Sequence, residues 1–220
     1  MLALARDGAA EGTWLYADQQ TSGRGRQGRA WVSPPGNLYA SGLVRLRADD
    51  PLAASLALVT GVALADVTQS YAPAAPLQLK WPNDLLVNGA KLAGILLERE
   101  GDAVVIGVGA NLAHHPDLPD RPATSLAALG VAPPLPAQMM ADLAAQFDHW
   151  LNIWRAQGLP VIIAAWEARA HPIGTPLSAE NGNGTRINGT FAGLDATGAL
   201  ILRLADGTNS VIHAGDVFLL

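Results

Sequence analysis

The chain has no cysteine. That excludes disulfide frameworks, cysteine nucleophiles and thiolate metal sites, and it fits a reducing compartment. Lysine is scarce: only Lys80 and Lys91 stand against twelve arginines. Charged residues make up 15% of the chain and the balance is acidic, with a formal net charge of −5. Broad nucleic-acid binding needs a basic surface that releases counterions, so no nucleic-acid partner is expected and any basic patch must be local. No apolar run reaches the ~20 residues that cross a bilayer. The most apolar stretch, Leu52 to Val67, is interrupted by Ser55, Thr60, Gly61 and Asp66, so no membrane partner is expected either. Met1 to Ala10 carries Arg6 and Asp7 and lacks the apolar core of a secretory signal, which points to a cytoplasmic protein. Also missing are a G-K-[ST] ending to a glycine-rich loop and a G-x-G-x-x-G opening to a helix, so neither a Walker loop nor a dinucleotide fingerprint is present.

What remains is a globular composition. The chain has 220 residues, of which 50% are hydrophobic, enough for one large domain or one domain with a small appendage. Strands are expected at Thr13–Ala17, Leu38–Leu46, Leu77–Lys80, Leu85–Val87, Lys91–Leu97 and Val104–Val108. The pair around Asn88-Gly89 carries the strongest two-residue hairpin signal. A helix is expected over Leu52–Tyr71, after Asp49-Asp50-Pro51, and two more over Ala137–Arg155 and Leu159–Ala170. Beyond His171-Pro172 short apolar runs alternate with turn residues: Asn181 to Gly184, Asn188-Gly189, Thr197-Gly198 and Asp206-Gly207. This pattern predicts a small C-terminal β-barrel. The expected division is 1–171 for the larger domain and 172–220 for the smaller.

Two segments carry chemistry. Gly23-Arg24-Gly25-Arg26-Gln27-Gly28-Arg29 places three glycines and three arginines in seven positions, giving close backbone approach together with guanidinium forks for phosphate or carboxylate. Read alone, it fits a solvated, mobile loop equally well. Both lysines fall in Lys80-Trp81-Pro82-Asn83-Asp84 to Lys91-Leu92-Ala93-Gly94. Counting outward from the Asn88-Gly89 turn puts Leu86 opposite Lys91 and Asp84 opposite Ala93, so that Asp84 and Lys91 share a face. There, Lys91 could neutralise developing negative charge while Asp84 binds a metal or helps a proton leave; a plain surface ion pair is the alternative. Gly107-Val108-Gly109-Ala110-Asn111 ends a buried strand with two glycines and an amide, suited to ligand approach or merely to sheet twist. Trp31 and Trp81 are candidate pocket walls. His114-His115 has no third residue at metal-ligand spacing.

Together these segments resemble the biotin protein ligases, in the family's order and over nearly the whole chain: Asp18 to Arg29, Trp31 to Tyr39, Lys80 to Glu98 and Gly107 to Asn111. The resemblance implies an α+β fold, a mixed β-sheet with helices akin to class II aminoacyl-tRNA synthetases, followed by an SH3-like barrel. It implies ATP and biotin as substrates, Mg2+ as cofactor, and a biotin carboxyl carrier domain of acetyl-CoA carboxylase or another biotin-dependent carboxylase as partner, with a homodimer as one assembly. Biotin or its adenylate would meet Gln20, Gly23, Arg24, Gly25, Arg26, Lys91 and Gly94. Arg29, Trp31, Asn83, Asp84 and Asn111 would lie on the nucleotide side. Arg26, Lys91 and Asp84 are the catalytic candidates, Asp84 being also the candidate magnesium ligand. The family's opening strand and Ser-Thr-x-Asn-like segment have no counterpart, since Ser22 is the first serine. Weaker biotin binding, or a binder without turnover, is the expectation from that. The related lipoate and octanoate transferases are a further alternative, without the two signature segments. No helix-turn-helix precedes the domain, so repression of transcription is not expected.

Overall fold

The computed structural model describes residues 1–118, 121–181 and 185–220. Six strands form the first sheet: β1 (Trp14–Tyr16), β2 (Leu38–Arg45), β3 (Leu77–Lys80), β4 (Asp84–Val87), β5 (Ala90–Glu100) and β6 (Ala103–Ala110), in the order β1-β2-β6-β5-β4-β3. All pairings between these strands are antiparallel. The parallel component of the expected mixed sheet is confined to two isolated bridges, Leu79–Ala170 and Lys91–Ala123.

Period-two alternation gives the sheet two different faces. Leu38, Val44, Ile95, Val104, Ile106 and Val108 belong to the main core. α2 (Leu56–Tyr71) and α3 (Pro136–Gln157) cover that side, and α4 (Leu159–Glu167) packs on both helices. The intervening positions of β2, β5 and β6 are mostly small or polar, with Tyr39, Ser41, Gly94, Gly107 and Gly109 beside Leu96, and they line an open cavity. At the far end of this second face the short helix α1 (Leu2–Arg6) places Ala5 against Leu43, Ala103 and Val105.

α2 is buried on nearly every side because it lies between the sheet and the other two helices. With its preceding turn, Ala53–Tyr71, it is long and apolar enough to cross a membrane by composition, and its burial identifies it as a core helix. α3 buries Met139, Leu143, Phe147, Leu151 and Trp154, a stripe at helical spacing. Trp154 Nε1 donates to Ser55 Oγ at 2.8 Å and ties α3 to the start of α2. Gly158, at φ +80°, turns the chain from α3 into α4. α4 ends at Glu167, three residues before its expected end.

The second sheet contains β7 (Pro176–Asn181), β8 (Arg186–Leu194), β9 (Leu200–Arg203), β10 (Asn209–Ile212) and β11 (Gly215–Leu219), in the order β10-β9-β8-β7-β11. Gly182, Asn183 and Gly184, most of one expected turn, lie outside the described residues. Leu177, Phe191, Leu202 and Val217 of this sheet join the same hydrophobic cluster as Leu79 and Trp166 of the first part, so the two sheets share a continuous core.

Candidate active site

The cavity encloses about 610 Å³ on the glycine-bearing face of the first sheet. Its floor is the β4–β5 hairpin. Asn88 and Gly89 adopt φ +50° and +78°, the paired left-handed conformation of a two-residue turn that Asn-Gly favours. Leu86 pairs with Lys91 as counted, but Leu92 bulges out, so Leu85 pairs with Ala93 and Asp84 with Gly94 rather than with Ala93. Outward counting assumes an unbroken ladder, and a bulge breaks it. The shared face survives: Lys91 Nζ lies 2.5 Å from Asp84 Oδ1.

Lys80, across the β3–β4 turn, places its Nζ 3.0 Å from Asp84 Oδ2 and donates to the Val217 carbonyl at 3.0 Å. Both carboxylate oxygens are therefore taken by ammonium groups. Burial pushes the Asp84 carboxyl up, and Lys80 and Lys91 together overcome this and hold it below its ordinary range. Such a carboxylate orients cations and is a poor proton acceptor, against the expectation that it deprotonates an incoming amine. Nor do the residues fit a magnesium ligand at Asp84, since two adjacent ammonium groups repel a divalent cation. Among the described residues, no group of three His, Asp or Glu side chains could hold a metal ion, His114 and His115 included.

The glycines do specific work. A Cβ on Gly109 would meet Trp31 Cε2 at 2.6 Å, and one on Gly94 would meet Lys91 Cε at 3.1 Å and Trp31 Cζ3 at 3.3 Å. They seat the Trp31 indole against the sheet, with Lys91 Nζ 5.4 Å from its ring centroid. Trp31 Nε1 is buried without a hydrogen-bond partner. Asn111 Nδ2 donates to the Thr124 carbonyl at 3.0 Å and, at 3.4 Å, toward that of Lys91, while its Oδ1 has no partner. Both residues line the cavity, and the two unpaired atoms are buried in its wall. Trp81 is not a wall of this cavity: it is buried at the junction with the second sheet, and its Nε1 donates to the Gly198 carbonyl at 3.1 Å.

The arginine loop closes over the opposite side as a small turn. Gly25 N donates to the Arg29 carbonyl at 2.7 Å and Trp31 N to that of Gly23 at 3.0 Å. A Cβ on Gly23 would lie 2.4 Å from the Trp31 oxygen, so only glycine fits that closure. Gln20 Oε1 accepts from Ser33 Oγ at 2.9 Å beside it. The apex docks on β11: Arg26 Nη2 donates to the Gly215 carbonyl at 3.1 Å, and Arg29 Nη2 to Asp216 Oδ1 at 2.9 Å. Arg26 Nη1 reaches Asn83 Oδ1 at 3.4 Å. Burial lowers the Arg26 guanidinium pKa against the pull of Asp216 and Asp84. Arg24 stands at the rim, 68% exposed and paired with Glu98 at 3.2 Å. Every residue expected at a ligand lines this one cavity except Gly23, which shapes the loop base. Lys80 and Asp216 join the site without a role expected from the sequence. The i,i+4 spacing of Lys80 and Asp84 across a turn carried a signal for the first, whereas no local pattern marks the second.

Residues 7–111 match the Biotin/lipoate A/B protein ligase family and residues 178–220 the Biotin protein ligase C terminal domain. The chain is 39% identical to a Biotin--[acetyl-CoA-carboxylase] ligase of Paracoccus denitrificans, over 96% of this chain and 92% of that protein. It is 37% identical to the Mycobacterium tuberculosis enzyme of the same name, over 99% and 83%. Among solved structures it resembles the biotin protein ligase of Aquifex aeolicus in complex with biotin and ATP, with TM-score 0.86, 25% identity and coverage of 97% of this chain and 91% of that one. By this breadth of similarity, the chain belongs to the biotin protein ligase family.

Proposed function

We propose that the chain is an ATP-dependent biotin–[acetyl-CoA-carboxylase] ligase acting in the cytoplasm, with residues 1–171 as the catalytic unit and 172–220 as a C-terminal unit. In the first step an oxygen of the biotin carboxylate attacks the α-phosphorus of ATP and pyrophosphate leaves, giving biotinyl-5′-AMP. In the second, a lysine amine of a biotin carboxyl carrier domain attacks the acyl carbon, AMP leaves, and the amine loses a proton. Both steps gather negative charge at one point, so the enzyme must bring cations to it. The observation that carries the reading is the convergence of Arg26, Arg29 and Lys91 on a single cavity of about 610 Å³.

Lys91 is assigned to the charge developing between the carboxylate and α-phosphorus, and Arg26 to the phosphate from the opposite wall. Gln20, Gly25 and Gly94 border the acyl side. Asn111 and Trp31, which line the same cavity, are assigned to the adenine side. Magnesium belongs in this reading to the phosphates of the nucleotide, as part of the substrate, and not to Asp84. The arginine loop acts as a lid that keeps water from the mixed anhydride.

Biotin-dependent exchange of labelled pyrophosphate into ATP tests the proposal. Exchange that requires biotin and does not occur with lipoate or octanoate is expected; absence of exchange at saturating biotin and ATP would overturn it.

A further inference from the structure

Asp84 is held by two lysines that differ in how they are themselves held. Lys80 has a second anchor, the Val217 carbonyl of β11 at 3.0 Å, and its side chain is 17% exposed. Lys91 is 32% exposed at the cavity, and its head rests on Asp84 and near the Trp31 ring. Both lysines line the cavity, but only Lys80 is anchored to the second sheet as well.

The functional reading asks Lys91 to serve a carboxylate and a phosphate. If Lys91 were the sole counter-ion of Asp84, each turn toward substrate would leave a buried carboxylate unpaired, which is strongly unfavourable. Lys80 removes that obstacle because it remains on Oδ2 when Lys91 leaves Oδ1. The other charged or titratable neighbours do not substitute for it. Arg26 attracts Asp84 from a distance but spends its donors on Gly215, Asn83 and Asp216. The pKa of His171 is lowered by burial and by Lys80, so it adds no cation. Resting on the ligase reading, we infer that Lys80 is a positioning residue: the resident counter-ion of Asp84, whose constant charge releases Lys91 to the reacting anions.

The test uses Lys80→Met, Lys80→Arg and the double variant Lys80→Met/Asp84→Asn. In Lys80→Met, Lys91 becomes the sole partner of Asp84, and the maximal rate of biotin-dependent pyrophosphate exchange is expected to fall at least about tenfold with KM for biotin and ATP within about threefold. Lys80→Arg keeps the charge and should stay within about fivefold of the parent. The double variant removes the trapping carboxylate together with its counter-ion and is expected to recover at least about tenfold over Lys80→Met. A general loss of packing would not be rescued by the second substitution. A double variant as slow as Lys80→Met, or a Lys80→Arg as slow as Lys80→Met, overturns the inference.

A second measurement needs no turnover. Lys91 is the only lysine left in Lys80→Met, so its acylation by an amine-reactive ester can be followed by mass spectrometry on folded protein. Slower acylation of Lys91 than in the parent is expected, and an equal or faster rate overturns the inference. If the parent shows no exchange, the ligase reading fails while the acylation result still decides the role of Lys80.

Discussion

The floor of the cavity is positioned by one local hairpin, whereas its lid is positioned by a strand from the far end of the chain. On the floor, Asp84, Lys91 and Gly94 are placed by the β4–β5 register within eleven residues, and Asp84 is held by two cations. The lid is closed on itself by local hydrogen bonds, Gly25 N to Arg29 O and Trp31 N to Gly23 O among them, but none of these fixes it to the floor. Its apex is docked by Arg26 on Gly215 and by Arg29 on Asp216, across sequence separations of 189 and 187 residues. A local hairpin fixes the backbone positions of these groups on a rigid sheet, which suits a site where only the Lys91 head turns between Asp84 and substrate. A long-range salt bridge at a partly exposed site is weaker and can be exchanged for a ligand, which suits a cover that has to open.

The largest test of this contrast falls on the floor. Replacing Lys91 with Ala is expected to lower biotin-dependent pyrophosphate exchange by about 10²–10³-fold, the range found when one preorganised transition-state donor is removed. The thermal midpoint should change little because Asp84 keeps Lys80. A loss of less than about fivefold would move the developing charge away from the floor.

A change on the lid anchor should act differently. Asp216→Asn removes the charge that docks Arg29 at 2.9 Å and attracts Arg26 at 3.6 Å. Loss of a charge-assisted hydrogen bond of about 1.5–3 kcal/mol predicts roughly a tenfold faster release of biotinyl-adenylate in single-turnover trapping, with a smaller effect on the rate of its formation. Equal effects on both rates would make lid and floor one rigid unit and break the comparison.

These two walls were unequally legible before the structure. The Asn88-Gly89 turn between the apolar run Leu85–Val87 and the strand from Lys91 announced the hairpin, and the face shared by Asp84 and Lys91 followed from period two. The bulge at Leu92 was hidden because no Gly or Pro marks it. Lys80 was in plain view inside its motif, yet its pairing needed the turn at Trp81-Pro82-Asn83 to bring it beside Asp84. Asp216 lay beyond any local pattern: its meaning comes from the packing of the second sheet against the first. The same holds for Trp81, whose polar neighbours in sequence suggested a pocket wall while the Gly198 carbonyl claims its indole.

A third test separates both walls from the frame. Glu11 accepts two hydrogen bonds from Arg155, at 2.7 and 2.8 Å, and one from Arg45 N at 2.9 Å. The Arg155 hydrogen bonds are the main reason its carboxyl falls to about 2, with burial opposing them. The folded chain therefore binds fewer protons than the unfolded chain between about 2 and the ordinary 4.5. Stability from this group is complete above that ordinary value and is lost as pH falls through about 2. Glu11→Gln is expected to lower the thermal midpoint at pH 7 by roughly 2–6 °C, from about 1–2 kcal/mol, and to flatten the acid limb of a melting series. Exchange activity at 25 °C should be unchanged.

The smallest effect is expected within the lid, at Gly25. A Cβ there would meet Arg29 O at 3.5 Å, an ordinary contact, and its φ of −101° is open to any residue. Gly25→Ala should therefore leave the thermal midpoint within about 1 °C of the parent, since no strained backbone or close approach in this conformation depends on glycine. Gly23 is the contrast, because its Cβ would strike the Trp31 oxygen at 2.4 Å. If the Gly25 backbone is free in the ligand-free fold and needed only when the acyl chain comes near, biotin KM should rise about threefold, the effect of under 1 kcal/mol at one contact. An unchanged KM would mean that this glycine serves lid motion alone, and that the close approach expected of the motif is carried by Gly94 on the floor.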